Sequence, residues 1–422
     1  MTKRNIILIS LDEVRPDHLS CYGYKKINTP AVDQIAKQGV KFECCISSSD
    51  LTPVAMGTAI TGKYPNKHGM RDPYCEVTGP SICGILKKNG YKTAGFVGNG
   101  LLAKQHGFAE GFDFWNETSK ETSWAEFQYT NNGQVFYEGN YWVEEFFQWL
   151  ENNHKDRFFV WGHLYETHEG SEYSLLKKGL IKAGELPEFS YYDAKIKMAD
   201  EKLISRLLNI LDELHVSNDT ILVVMSDHGT NLGERFPAKP IPGRKEDDDK
   251  RYPQHTTMYD HDLRVALIIR GKDLPQGKEV KGIVGSVDLV PTLLDLIGIP
   301  TEAYDFDGSS LLPVIGGDEA KGKEIYSEDL FEQRGEGVLQ SIRDDHFKFI
   351  RNLTLGTEEF YDLTKDRQEK NNIIKELDRE KAIELRKKLN VFLKTSASVG
   401  KKFSKKDREK IDKRLRALGY IR

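Results

Sequence analysis

Two pairs of potential metal ligands follow apolar segments of this chain. Residues 221–225 are Ile-Leu-Val-Val-Met, and Asp227 and His228 come shortly after them; Asp12 and Glu13 follow the similar run at 5–11. Such β-branched runs are typical of strands buried in a parallel sheet, and ligand sites form at the carboxyl ends of those strands. A carboxylate beside an imidazole suits a divalent transition ion. The pairs therefore predict a metal site, with capped turns as the alternative.

A third segment offers a nucleophile. Residues 53–61 are small and apolar and predict a helix with Pro53 in its first turn, which places Thr52 at the N-cap. A hydroxyl there lies in the positive field of the helix end, and contact with a metal ion makes a hydroxyl ionise more readily. Thr52 could then attack phosphorus or sulfur and form a covalent intermediate. An ordinary helix cap is the alternative.

Composition sets the general class of protein. The 422 residues, of which 38% are hydrophobic, suffice for a large core, and the formal net charge of -4 favours neither nucleic acid nor an acidic membrane as partner. The five cysteines are odd in number, which favours reduced thiols over a disulfide framework. No apolar stretch reaches about 18 residues, so no membrane span is expected. Acids follow the first apolar run where a signal peptide would be cleaved, so a cytoplasmic location is expected.

Apolar runs alternate with helical patterns, which is typical of α/β proteins. Strands are predicted at 6–11, 93–97, 158–163, 221–225 and 266–269, helices at 30–39, 191–214, 286–297 and 365–391, a loop at 236–254, and antiparallel strands within 338–362. Asn99 fits an Asn-Gly turn, with a pocket-lining amide as the alternative.

We expect a catalytic domain over 1–312 and a smaller subdomain over 313–398. The basic helical tail over 399–422 either packs on its own domain or joins subunits into a homo-oligomer.

Several motifs together resemble the sulfatase family of the alkaline-phosphatase superfamily. They are "NIILISLDEVRPDHLSCYGY", "LTPVAMGTAITGKYPNKHG", "SDHGTNLGER", "YDHDLRVALIIRG", "SVDLVPTLLDLIGIP" with "DGSSLLP", and "LRALGYI". They occur in the family's order and span nearly the whole chain. The resemblance implies an α/β fold with an alkaline-phosphatase-like mixed sheet sandwiched by helices and a smaller C-terminal α+β subdomain.

The resemblance also implies roles for single residues. Asp12 matches the first metal carboxylate, Glu13 lies where many members have a second Asp, and Asp227 with His228 matches the later ligand pair. Four basic residues match positions that contact the substrate, its ester group or the nucleophile: Lys63, His68, His168 and His255.

The nucleophile position departs from the family pattern. Thr52 stands where sulfatases carry the Cys or Ser that is oxidised to formylglycine, and Met56 replaces the Arg of the C-x-P-S-R signature. Thr lacks the CH2 group that is oxidised, so a typical sulfatase mechanism is not expected. Thr nucleophiles with a metal resemble the superfamily's phosphodiesterases and phosphotransferases.

We therefore expect a metal-dependent, phosphodiesterase-like hydrolase that acts on a small anionic phosphate or phosphonate ester with Thr52 as nucleophile. The predicted ion is Zn or Mn rather than Ca, with a second ion left open. Its predicted ligands are Asp12, Glu13, Thr52, Asp227 and His228. A sulfuric ester hydrolase and a non-catalytic anion-binding relative remain as alternatives.

Overall fold

A computed structural model describes most of the chain. The described residues are 4–117, 126–129, 135–138, 141–168, 191–232, 234, 257–318, 323–332, 337–375, 379–394 and 403–417. They form two compact units. Unit 1 comprises Met1–Lys41, Ser81–Ser226 and Ala266–Val280, and unit 2 comprises Phe42–Pro80, Asp227–Val265 and Lys281–Arg422.

The strands in chain order are β1 (Asn5–Leu11), β2 (Val40–Ile46), β3 (Lys92–Val97), β4 (Phe114–Glu117), β5 (Glu126–Tyr129), β6 (Val135–Glu138), β7 (Phe158–Leu164), β8 (Thr220–Ser226), β9 (Arg264–Val265), β10 (Leu267–Arg270), β11 (Lys278–Gly285), β12 (Ile325–Asp329), β13 (Leu339–Arg343), β14 (Phe347–Asn352) and β15 (Thr357–Asp362).

The α-helices are α1 (Pro30–Lys37), α2 (Thr52–Thr61), α3 (Pro65–His68), α4 (Ile82–Lys88), α5 (Tyr141–Asn153), α6 (Tyr191–Ala199), α7 (Ser205–Glu213), α8 (Asp260–Leu263), α9 (Leu289–Leu296), α10 (Leu312–Gly316), α11 (Arg379–Lys394) and α12 (Lys405–Ala417). A π-helical turn, Asp200–Ile204, joins α6 to α7.

Unit 1 is built on a mixed sheet. Strand β1 pairs in parallel with both β7 and β8, β3 pairs in parallel with β7 and β4, and β10 pairs antiparallel with β8. Every residue of β1, β7 and β8 is buried, which explains their uninterrupted apolar character. Helix α1 packs beside β10, and α4 and α5 pack beside β3. The central strands are therefore shielded from water and hold their carboxyl ends in fixed register.

Unit 2 contains a four-stranded antiparallel sheet with the order β12-β13-β14-β15. Neighbouring residues of each strand point to opposite faces. One face contributes Leu339, Ile350 and Tyr361 to one apolar cluster. The other face contributes Ile342, Phe349 and Phe360 to a second cluster, completed by Ala382, Leu385 and Leu389 of α11. This alternation makes the small sheet a two-sided core.

The sequence predicted most of these elements. The five predicted strands, the helices at the start of 30–39 and within 191–214 and 286–297, and the antiparallel strands within 338–362 are confirmed. The helix expected over 365–391 is displaced, because α11 covers Arg379–Lys394 and residues 365–375 are not helical. The predicted loop at 236–254 lies outside the described residues, and the domain boundaries at 312 and 398 stay predictions. Within the described part of the chain, no helix has the length and apolar character needed to cross a bilayer.

Candidate active site

The carboxyl ends of three neighbouring parallel strands lie at one edge of the sheet in unit 1. Leu11, at the end of β1, pairs with Leu164 of β7 and with Ser226 of β8. Asp12 is the residue after Leu11, and Asp227 is the residue after Ser226. The sequence prediction that both acids directly follow buried strands is confirmed. Ligand sites of open α/β sheets form at such ends.

Asp12 is fully buried and held by two side chains from neighbouring strand ends. Its Oδ2 accepts hydrogen bonds from Asn99 Nδ2 at 3.0 Å and from His163 Nε2 at 3.1 Å. The Ser10 hydroxyl lies 2.8 Å from His163 Nδ1 and accepts a hydrogen bond from Trp161 Nε1 at 2.9 Å. Because a carboxylate only accepts, Nε2 of His163 carries the proton and Nδ1 accepts from Ser10. The network keeps the Asp12 carboxylate oriented.

Glu13 adopts an unusual backbone conformation beside Asp12. Its φ is +60°, in the left-handed region that few non-glycine residues occupy. The Tyr192 hydroxyl donates to the Glu13 carbonyl at 2.6 Å and accepts from the Arg15 backbone N–H at 2.8 Å, which fixes this turn. The Glu13 carboxylate is buried and its Oε1 lies 3.0 Å from His168 Nε2. One potential ligand atom from each of Asp12, Glu13 and His168 lies within 4.8 Å of the others.

Unit 2 places Thr52 against His228. Thr52 is fully buried, and its Oγ1 lies 3.2 Å from His228 Nε2. His228 Nδ1 donates to the Gly229 carbonyl at 2.8 Å, so in the neutral ring Nε2 is left as an acceptor. The His228 backbone N–H donates to Asp227 Oδ1 at 2.8 Å. Three of the predicted site residues are thus brought together: the hydroxyl, the imidazole and the acid that precedes it.

Helix α2 begins one residue earlier than predicted. Thr52 is its first residue and Leu51 is the N-cap, whereas the sequence predicted Thr52 as the cap. Pro53 lies in the first turn, as expected. The Thr52 hydroxyl is directed to an imidazole from another segment, which a hydroxyl serving only as a cap would not be.

His68 lies in a buried hydrogen-bond chain. The Met70 backbone N–H donates to its Nδ1 at 3.2 Å, and its Nε2 donates to Thr58 Oγ1 at 3.0 Å. The Ser48 hydroxyl also donates to Thr58 Oγ1, at 2.6 Å. Burial, with a contribution from the positive Arg71, lowers the pKa of His68 to about 3. The neutral imidazole therefore links the loop before Thr52, helix α2 and the segment after α3.

Of the other predicted basic residues, Lys63 has an acidic neighbour and His255 is not described. Lys63 Nζ lies 3.6 Å from Asp305 Oδ2, and its side chain is largely buried. His255 lies outside the described residues. The substrate contacts predicted for Lys63, His68, His168 and His255 stay predictions.

Sequence reasoning underrated Asn99 and missed His163. Asn99 was expected to serve a turn; its Oδ1 does accept from the Leu101 backbone N–H at 2.9 Å, while its Nδ2 donates to Asp12. His163 lies within β7, one residue from its end, among apolar neighbours. A polar residue near the carboxyl end of a buried strand is the signal that would have identified it.

Comparison with known proteins identifies the family. The profile described as "Sulfatase" matches residues 4–299, and one described as "N-sulphoglucosamine sulphohydrolase, C-terminal" matches residues 248–396. The chain belongs to the sulfatase family. Structurally, it has the central mixed sheet flanked by helices and the C-terminal antiparallel sheet of sulfatase folds. Sulfatases are metal-dependent hydrolases, in agreement with the acidic and histidine groups described above.

Several named sulfatases are similar over most of their length. An N-acetylglucosamine-6-O-sulfatase of Bacteroides thetaiotaomicron is 25% identical, over 88% of this chain and 83% of the relative. An ulvan-active sulfatase of Formosa agariphila is 27% identical, over 96% of this chain and 83% of the relative. A solved complex with D-glucosamine-2-N,6-O-disulfate has a TM-score of 0.69 and 21% identity, covering 93% of this chain and 97% of the other.

The predicted preference for phosphate or phosphonate esters is wrong. The relatives are named sulfatases, including a Δ4,5-hexuronate-2-O-sulfatase, so the findings support the sulfuric ester alternative instead. A phosphonate monoester hydrolase of Agrobacterium radiobacter also matches, with a TM-score of 0.69 and 20% identity over 93% of this chain and 95% of the other, which shows a shared fold alone. The sequence argument failed because it inferred the reacting ester from the nucleophile type.

The prediction of a cytoplasmic location is also overturned. A Caenorhabditis elegans relative, 24% identical over 82% of this chain and 55% of the relative, is named as a homologue of an extracellular sulfatase. A Drosophila melanogaster relative has a similar name and is 37% identical over 26% of this chain and 9% of the relative. The acids that follow the first apolar run were therefore a poor guide to location.

Proposed function

We propose that this protein hydrolyses sulfate esters of carbohydrates, with the unmodified Thr52 as nucleophile. The observation that carries the proposal is the buried pair of Thr52 Oγ1 and His228 Nε2, 3.2 Å apart. The substrate class rests on the relatives, whose names refer to sulfated glucosamine, hexuronate and ulvan. The proposed location is extracytoplasmic, by the same comparison.

The proposed metal ligands are the side chains of Asp12, Glu13, Asp227 and His228, with the Thr52 oxygen beside them. The buried carboxylates and the acceptor nitrogen of His228 fit a divalent cation, because buried acids need a compensating charge. An imidazole ligand favours Zn or Mn over Ca. When bound, the ion would supply positive charge that lowers the pKa of a hydroxyl and stabilises anionic oxygen.

The proposed reaction has two displacement steps. The Thr52 oxygen forms a bond to sulfur while the bond between sulfur and the sugar oxygen breaks, and the sugar oxygen leaves with a proton. Water then attacks the sulfur of the sulfated threonine, releasing sulfate and restoring the hydroxyl. His228, whose Nε2 lies 3.2 Å from Thr52 Oγ1, would hold the ion beside that oxygen, and the hydroxyl proton passes to the departing sugar oxygen. No oxidation of Thr52 is needed.

The remaining predicted roles continue as proposals. Lys63 and His255 would bind anionic ester oxygens, and His68 would fix helix α2 through Thr58. The homo-oligomer through residues 399–422 also stays a prediction. Helix α12 buries Ile411 and Leu415 within the chain, so part of its apolar stripe is already covered.

Substrate comparison tests the proposed function. The metal-loaded protein would be assayed with N-acetylglucosamine 6-sulfate, sulfated uronate disaccharides, an aryl sulfate, an aryl phosphodiester and an aryl phosphonate monoester. We expect sulfate release from at least one sugar sulfate to exceed turnover of both phosphorus esters, and chelation to abolish it. Dominant turnover of a phosphorus ester would overturn the substrate class. Tight binding of sulfated sugars without turnover would instead favour the non-catalytic alternative, which the missing C-x-P-S-R signature motivates.

A further inference from the structure

We infer that His168 is a metal ligand, acting with Asp12 and Glu13, rather than a group reserved for the substrate. The inference deepens the proposed function and rests on its metal site. All three side chains are at least nine-tenths buried and belong to unit 1. Within the described residues, this set brings two carboxylates and an imidazole to one place.

The distance between the two side-chain donors fits joint coordination. His168 Nε2 lies 3.0 Å from Glu13 Oε1. Nitrogen and oxygen ligands about 2.1 Å from one ion, and about 90° apart around it, are themselves about 3.0 Å apart. The donor atom of Asp12 lies within 4.8 Å of both. Ligand atoms on opposite sides of such an ion are about 4.2 Å apart, so an upper bound of 4.8 Å is close to the range that one ion spans.

The length of the Glu13 side chain lets its carboxylate reach His168. Many sulfatases resembled by this chain have Asp where Glu13 stands, and Glu is longer by one methylene. The left-handed backbone of Glu13, with φ at +60°, and the hydrogen bond from Tyr192 to its carbonyl hold the longer side chain toward His168. The carboxylate therefore meets the imidazole directly.

His168 is fixed by its own neighbours. Lys195 Nζ donates to its carbonyl oxygen, and the Tyr165 ring lies 4.8 Å from the imidazole, centroid to centroid. One residue earlier, the Thr167 hydroxyl donates to the Asp12 carbonyl at 2.7 Å. The segment that carries His168 is thereby tied to the turn that carries Asp12 and Glu13, as a preorganised ligand set requires.

Charge compensation supports the same assignment. Two adjacent carboxylates in a buried position repel one another and lose hydration unless positive charge is near. Asn99 and His163 give Asp12 hydrogen bonds, but neither needs a formal charge to do so. A divalent ion bound by both acids and by the imidazole of His168 would balance their charge. Mixed oxygen and nitrogen ligands favour Mn or Zn there.

His163 provides a built-in contrast. It is also buried and also near Asp12, but its Nε2 donates to Asp12 and its Nδ1 lies against Ser10. The proton of His163 Nε2 is donated to Asp12 and the lone pair of Nδ1 accepts from the Ser10 hydroxyl, so His163 orients a ligand and does not bind the ion. The inference therefore separates two histidines that both approach Asp12.

Pulsed electron paramagnetic resonance of the full chain loaded with Mn2+ tests the inference. Nitrogen modulation in this experiment reports imidazoles bound directly to the ion. We expect the wild-type protein to show two bound imidazoles, from His168 and His228, and His168→Ala to show one. The Mn2+ affinity of His168→Ala should fall by roughly tenfold or more, since even groups that only orient ligands contribute about 10- to 100-fold.

Two further substitutions serve as controls. His163→Gln should retain both imidazole signals, and His154→Gln, which alters a partly exposed histidine at the end of α5, should change neither the signals nor the affinity. The wild-type spectrum is decisive even if His168→Ala does not fold, because the number of bound imidazoles needs no variant.

The possible outcomes separate the inference from the proposed function. A single imidazole that disappears in His228→Gln and persists in His168→Ala would overturn the inference and leave the proposed function standing. Absence of Mn2+ binding by the wild-type chain would overturn both. Two imidazoles with one lost in His168→Ala would establish His168 as a ligand, whatever ester the enzyme prefers.

Discussion

The hydroxyl of Thr52 and the imidazole of His228 face each other across 3.2 Å, although 176 positions separate them in sequence. The Gly229 carbonyl accepts the proton of Nδ1, so Nε2 presents its lone pair to the hydroxyl. The same lone pair can bind a cation. In the proposed function the bound cation would then lie beside the Thr52 oxygen and favour its ionisation.

Thr52→Val tests the nucleophile because Val has the shape of Thr but no hydroxyl. We expect sulfatase activity to fall at least about 1,000-fold, as when other nucleophiles are removed, with little change in thermal stability or metal content. Thr52→Ser keeps the hydroxyl and should retain far more activity than the Val variant. Equal activity of Thr52→Val and the wild-type protein would refute the nucleophile assignment. Mass spectrometry after a quench should also find one sulfo group on the peptide containing Thr52.

Asn99→Ala tests the support of Asp12. Loss of the 3.0 Å hydrogen bond from Asn99 Nδ2 should let the Asp12 carboxylate rotate and should weaken metal binding about 10- to 100-fold. Calorimetric titration of the metal-free protein would measure the change. Asn89→Ala is a matched control, because Asn89 Nδ2 bonds the Ile85 carbonyl in α4. An unchanged affinity in Asn99→Ala would show that Asn99 is needed only for its turn.

His68 should make the protein sensitive to acid. Burial lowers its pKa to about 3 in the folded state, whereas the unfolded imidazole has a value of about 6.5. The unfolded chain therefore binds more protons between these values, and this contribution to stability is complete above about pH 6.5 and declines down to about pH 3. The loss at pH 5 is about 2 kcal/mol from this residue. Urea denaturation at about pH 7 and about pH 5 would measure the loss of stability on acidification. The loss should be smaller in His68→Gln than in the wild-type protein, and an equal loss in both would contradict the lowered pKa of His68.

Lys348 should be far more important for stability than a surface lysine. It is fully buried, and its Nζ lies 2.8 Å from both Asp260 Oδ1 and Glu369 Oε1. Burial alone would raise the pKa of Asp260, but the positive charges of Arg343 and Lys348 hold it well below its usual range. Lys348→Met should lower the free energy of unfolding by about 3–5 kcal/mol, because it removes the lysine charge beside the buried Glu369 carboxylate and leaves Asp260 with Arg343 alone.

The matched control for Lys348 is Lys365→Met. Lys365 pairs with Asp362 at 3.0 Å, but its side chain is 84% exposed. Such a pair contributes less than about 1 kcal/mol. Denaturation curves that show similar losses of unfolding free energy for the two substitutions would contradict the prediction that the buried ion pair contributes more.

Substitution of two helical glycines by alanine should change the stability of the protein in opposite directions. A Cβ at Gly57 would lie 2.8 Å from His68 Cε1, whereas a Cβ at Gly84 would meet its nearest neighbour, Ser81 Oγ, at 3.7 Å. Gly84→Ala should stabilise the protein by about 0.5–1 kcal/mol through helix propensity. Gly57→Ala should destabilise it by about 1–3 kcal/mol, since the buried imidazole must move. Melting temperatures would measure both, and a rise for Gly57→Ala would contradict the close packing.

The sequence was sufficient for the elements whose signal is local. The apolar runs that became β1, β7 and β8 are buried on both faces and show it in their composition. It also identified Asp12 and Asp227 at strand ends and Thr52 at a helix start, because strand ends and caps are written in adjacent residues. Helix α11 was displaced from its prediction because its charged flanking residues have no strong boundary signal.

The environment of each candidate depended on tertiary structure. In the sequence, neither His68 nor His163 belongs to a pattern that reveals its role. Only the packed structure shows that His68 contacts Thr58 and that His163 donates to Asp12. The meeting of Glu13 with His168 likewise required a left-handed turn and a segment more than 150 residues away. Local patterns determine which side chains stand at the ends of strands and helices. Distances between remote side chains, and the tautomers and charges that follow from them, are decided only when the chain has folded, because those interactions depend on through-space contacts that no local pattern encodes.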